Sequence, residues 1–222
     1  MKTNIYTHTS DNNLLQEFAL DKSSSRIILK SFHAALIAIA ICLLVNVALR
    51  IDYVFLGNTL GEASVTEILE LVMLAISSAS FFLVAKQRPT LKHAAVLVGS
   101  FFLVMFIREN DGWLDHISHG SWIYPALLTT FAAIAYAAKN GKQSFTQLAV
   151  ILNTPSANLL ILGLMMLLVY SRLMGMGDFW KDVMSEHYIR DVKNIVEEST
   201  ELLAYCIIAY ASVKIQRHLK KA

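Results

Sequence analysis

Two cysteines are all that 222 residues contain, and they do not form a CxxC pair. Cys42 and Cys206 both fall inside apolar runs, which argues against a disulfide framework and against a zinc–thiolate site. Proline is nearly as scarce. Pro89, Pro125 and Pro155 each stand near an expected helix start, where a missing amide hydrogen is tolerated. Charge is thin as well: 16% of residues are Asp, Glu, Lys or Arg, against about 25% in a typical soluble domain. No HExxH, P-loop or CxxC motif occurs, and nothing in the pattern points to nucleotide or nucleic-acid binding. Gly99 and Gly163, the glycines within apolar runs, form no GxxxG pair. Residues 1–26 are polar and lack an apolar h-region, so no cleavable signal peptide is expected.

Long apolar runs take the place of what is missing. Six are read as spanning helices, at about 32–49, 64–85, 93–107, 122–138, 157–173 and 195–213, each near the ~20 residues needed to cross hydrocarbon. The third is short by apolar count and is expected to continue into Arg108, Glu109 and Asn110. The expected fold is all-α, a polytopic membrane protein. A cytoplasmic segment at 1–30 precedes one six-helix domain at 31–222. An outer amphipathic helix is expected at about 174–194, where Phe179, Val183, Tyr188 and Val192 recur near helical spacing. A weaker amphipathic stretch surrounds Leu14, Leu15 and Phe18.

The charges are sorted by position. With six helices, 13 of the 19 Lys and Arg fall on one face, and the positive-inside rule makes that face cytoplasmic, with both termini inside. Only Asp11, Glu17 and Asp21 share it. The other 14 of 17 acids lie on the outer face, together with Trp113, Trp122 and Trp180, which suit a membrane interface. This pattern implies the cytoplasmic membrane of a bacterium.

Some of these acids have an ordinary explanation. Ser64 with Glu67 and Asn194 with Glu197 have capping-box spacing, and a helix N-terminus favours negative charge. Glu70 and Glu201 resist that explanation. Each lies about six residues inside its helix, ~9 Å at 1.5 Å per residue, where an unpaired charge costs at least ~2.5 kcal/mol. Each needs a polar cavity, a cation or a proton. Glu67 with Glu70, and Glu198 with Glu201, are three apart and share a helix face. The two stretches echo each other: Glu67-Ile-Leu-Glu70-Leu71 near Gln87-Arg88, and Glu198-Ser-Thr-Glu201-Leu202 near Gln216-Arg217. A duplicated two-helix unit would give this pattern.

Between the third and fourth helices, Asp115, His116 and His119 have spacings that suit one metal on a helical turn. The expected ligands are therefore Glu70, Asp115, His116, His119 and Glu201, with Glu67 or Glu198 as general base. Carboxylate with imidazole suits Zn, Mn or Fe, and carboxylate alone suits Ca, Mg or Mn. Arg172, at the outer end of the fifth helix, is the counter-cation if no metal binds. Three functions stay open. One is a metal-dependent, hydrolase-like enzyme acting on a lipid or lipid-linked substrate. The second is a cation- or proton-coupled transporter or channel, and the third is a binding, immunity or assembly protein without catalysis.

Overall fold

The computed structural model describes residues 23–57, 64–116 and 118–221, and every regular element among them is helical. Helix α1 covers Ser23–Arg50 and runs into a π-helical turn at Ile51–Phe55. Then come α2 (Val65–Gln87), α3 (Lys92–Glu109), the short α4 (Asp111–Asp115), α5 (Ile123–Ala138) and α6 (Lys142–Leu152). Helix α7 covers Ala157–Met174 and includes a π-helical turn at Met166–Tyr170. Helices α8 (Gly177–Met184) and α9 (Arg190–Lys221) complete the order. The stretch expected around Leu14, Leu15 and Phe18 lies outside the described residues.

Four helices among the described residues are long and apolar enough to cross a membrane: Ser24–Phe55, Val65–Gln87, Pro89–Glu109 and Ala157–Met174. Helix α5 is apolar but only 16 residues long, about 24 Å. Helix α9 is 32 residues long, but Glu197, Glu198 and Glu201 interrupt its apolar run.

The described residues divide into two compact units, one ending at Leu44 and the other beginning at Val45. In the first, the described helical stretch exposes Ile28, Phe32, Ile39 and Leu43. In the second, α2 lies between α3 and α9, α5 and α6 pack on α3, and α7 packs on α9. Leu74, Phe81, Phe102, Tyr205, Ile208 and Ile215 are fully buried between these helices. Small residues allow the close approaches. The Ser78 hydroxyl donates across to the Gly99 carbonyl at 2.9 Å. A Cβ at Gly163 would come within 2.8 Å of Ile208 Cγ1, so α7 and α9 touch where the side chain is absent.

Helices α2 and α9 run in the same direction. At one end their glutamates converge, as described below. At the other, Gln216 Nε2 donates to Gln87 Oε1 at 2.7 Å and Arg88 Nε donates to the Leu219 carbonyl at 2.7 Å. The two echoing sequence stretches are thus side by side over most of their length.

Several boundaries differ from the sequence reading. Residues 139–156, expected as a connection, contain α6. Its 11 residues are too short to register as a span, although Gln147 and Ile151 are buried one turn apart. The expected outer helix at 174–194 is split: α8 ends at Met184, Ser185 takes a left-handed φ of 49°, and the chain re-enters helix at Arg190. Asn194 is therefore inside α9 and caps nothing. Lys193 donates to it at 3.3 Å. The Ser64 cap forms as expected, its hydroxyl accepting the Glu67 amide at 3.1 Å. It is supplemented by Asp52, which the sequence did not mark. Asp52 is fully buried, and its carboxylate accepts the amides of Val65 at 2.7 Å and Thr66 at 2.9 Å and the Thr66 hydroxyl at 2.7 Å. The π-helical turn at the end of α1 carries Asp52 to the start of α2, where a carboxylate meets unpaired amides and the positive end of the helix dipole.

Candidate functional site

Glu70 on α2 and Glu198 and Glu201 on α9 meet at the acidic end of the bundle. One carboxylate oxygen of each lies within 4.8 Å of the others. The three-residue interval between Glu198 and Glu201 puts both on one face of α9, and α9 lies along α2 in the register that faces them to Glu70. Glu70 is 2% exposed and Glu201 5%, while Glu198 is partly buried.

Neighbouring charges compensate this group only in part. Arg172 Nη2, from the last turn of α7, reaches Glu201 Oε1 at 2.9 Å, and Ser171 Oγ stands 3.1 Å from the same oxygen. The π-helical turn at Met166–Tyr170 sits immediately before these two residues. Such turns re-phase a helix and are frequent beside functional groups. Arg172 Nη1 lies 3.9 Å from Glu197, which Lys193 also holds at 2.7 Å. Gly175 lets that carboxylate fit, because a Cβ there would collide with it. On α3, Glu109 Oε1 accepts from Arg108 Nη2 at 2.7 Å and from the Tyr205 hydroxyl of α9 at 2.8 Å. Among the described residues neither Glu70 nor Glu198 takes part in an ion pair. Glu70 Oε1 is also buried without a hydrogen-bond partner. Carboxylates this close repel when ionised, so the group needs a cation or a shared proton.

The other expected site residues lie elsewhere. Asp115 Oδ2 pairs with His119 Nδ1 at 3.0 Å, and Asp115 Oδ1 accepts the Gly120 amide at 2.8 Å. The His119 side chain is fully exposed. His116 Nδ1 stands 2.9 Å from the Gly112 carbonyl, and the ring lies against Trp113. These three residues thus organise their own turn, and the convergent acidic group among the described residues is the three glutamates. Glu67 lines a small cavity of about 90 Å³ with Glu109, Asp111 and Trp113, walled on its apolar side by Ile68 and Leu71.

Below the glutamates the packing closes. The hydroxyls of Ser77, Ser80 and Ser212 donate to carbonyls one turn back, at 2.7–2.8 Å, and Leu74, Phe81 and Ile208 fill the space between the helices. Comparison with protein-family models, with curated proteins and with solved structures finds no match for this chain.

Proposed function

We propose that this chain is a membrane protein that holds one divalent cation on Glu70, Glu198 and Glu201, and that the ion serves a hydrolase-like reaction on a lipid or lipid-linked substrate. The observation that carries the reading is the convergence of three carboxylate oxygens within 4.8 Å of one another, one of them from Glu70, whose Oε1 is buried without a hydrogen-bond partner. An all-oxygen set favours a hard ion, Mg, Mn or Ca, over zinc. Three protein ligands leave coordination positions for water and substrate, and a bound metal makes water a nucleophile near neutral pH. Glu67, in the adjoining cavity, is the general base in this scheme. Arg172 supplies the counter-charge to Glu201 and orients it.

In the same reading α5 and α9 also cross the membrane, giving six spans with both termini cytoplasmic and the glutamates near the outer leaflet. The membrane is the cytoplasmic membrane of a bacterium. Lipid reaches the site sideways, past the exposed Ile68 on α2.

Elemental analysis of the purified protein tests the reading. One equivalent of divalent metal per chain is expected, falling to background in Glu70→Gln and Glu201→Gln. Metal-free wild-type protein that takes up none on titration with manganese would overturn it. A cation- or proton-coupled transporter is the second reading, favoured by the side-by-side echo of α2 and α9. The closed packing beneath Glu70 weighs against it, and cation- or pH-dependent flux in proteoliposomes, abolished by Glu70→Gln, would decide for it.

A further inference from the structure

The opposite end of the bundle carries a larger cavity, about 25 Å from the glutamates along α2. Its volume is about 700 Å³, within the ~300–1,000 Å³ range of ligand sites. Arg88, His93, Asn140, Gln143, Thr146 and Gln147 supply its polar wall, and among the described residues no carboxylate side chain lines it. The surrounding surface has the same character: stretches 86–93, 138–157 and 211–221 contain nine Lys and Arg and no Asp or Glu.

The polar wall is held as a set of donors. Gln147 Oε1 accepts the amides of His93 and Ala94, both at 3.1 Å, so the remaining hydrogen-bonding capacity of that side chain is its NH2 group. Arg88 spends Nε on the Leu219 carbonyl and keeps its two terminal nitrogens. His93 Nδ1 stands 3.2 Å from Asn140 Nδ2, and the His93 ring stacks on Tyr136 at 4.7 Å. With Asn140 donating to Nδ1, the ring hydrogen is on Nε2. A fixed cation, several donors and no acidic side chain among the described lining residues make an anion site.

The position says which anion. The cavity opens where two apolar helices end and begin, at Gln87 and Lys92, the level of lipid headgroups. Helix α6 turns Gln143, Thr146 and Gln147 toward it and turns Phe145 and Leu148 toward an apolar groove of about 370 Å³ on its other side. Phe145 is 77% exposed. A helix divided in this way lies along a membrane interface. From these observations we infer that the cavity binds the phosphate of an anionic phospholipid headgroup, with Arg88 as the principal cation. Basic pockets between spanning helices take such headgroups. The inference is independent of whether the glutamates bind metal.

Native mass spectrometry tests it on full-length protein released from nanodiscs of mixed phosphatidylglycerol and phosphatidylcholine. Phosphatidylglycerol should be retained preferentially. Arg88→Gln should cut that retention about fivefold, the worth of one cation near a lipid surface, and Gln143→Leu, which leaves the Arg88–Leu219 contact in place, should also lower it. Lys139→Gln with Lys142→Gln removes two charges from the same face outside the cavity lining and should change retention less than Arg88→Gln. Equal retention of both lipids, no effect of either cavity variant, or an equal loss in the paired lysine variant would overturn the assignment. Displacement of the retained lipid by inorganic phosphate or glycerol phosphate at low concentration would reassign the cavity to a soluble phosphate and overturn the lipid.

Discussion

Glu201 and Glu70 occupy the same depth with different support. Glu201 has Arg172 at 2.9 Å and Ser171 at 3.1 Å, whereas Glu70 Oε1 has no hydrogen-bond partner. Arg172 is therefore the residue whose removal should separate charge compensation from cation binding. Arg172→Gln leaves Glu201 without its guanidinium. In metal-free protein it should lower stability by about 2 kcal/mol, less than the 3–5 kcal/mol for a fully buried pair because Arg172 is partly exposed. A saturating divalent cation should restore most of that loss. Thermal unfolding with and without manganese measures both; equal destabilisation in the two conditions would make Arg172 a purely structural partner. The neutral isostere Glu70→Gln should have the opposite profile, with metal-free protein no less stable than wild type and the manganese-induced stabilisation lost.

Elements decide which acids become neighbours. Asp52 shows how: a single π-helical turn brings it to the first amides of α2, 13 and 14 residues on. Asp52→Ala should cost about 2 kcal/mol, the upper end for a lost helix cap, and should increase hydrogen exchange in the first turn of α2 ahead of the rest of that helix. Uniform exchange along α2 would count against a capping role. Asp52 was not legible in the sequence, because no local pattern announces a cap supplied from another helix. Glu70 and Glu201 were legible because helical periodicity and depth along an apolar run need only nearby residues. Glu198 was visible as the partner of Glu201 on one face, but its place beside Glu70 depends on the register of α9 against α2. Asp115, His116 and His119 have metal-like spacing; Asp115 pairs with His119, and His116 meets the Gly112 carbonyl, local contacts that spacing alone does not specify. Helix α6 was missed because an 11-residue amphipathic piece between longer runs reads as a connection.

On the scale of the whole molecule, two faces differ in kind. One gathers the glutamates with Arg172 and Lys193; the other has basic residues, the large polar cavity and no acid in its connecting stretches. If all six long helices span, these faces lie on opposite sides of a membrane. Cysteines introduced singly by His119→Cys and Lys142→Cys in a background without Cys42 and Cys206 should react with an impermeant maleimide from opposite sides of sealed vesicles. Labelling of both from the same side would contradict the six-span arrangement.

The space between Glu70, Glu198 and Glu201 is examined most directly by a crystal structure of manganese-loaded protein, with anomalous scattering recorded at the manganese edge. One peak bounded by the three carboxylates is expected, with Arg172 retained beside Glu201. Loaded protein that shows no peak there, or that shows the Arg172 guanidinium filling that space, would contradict it.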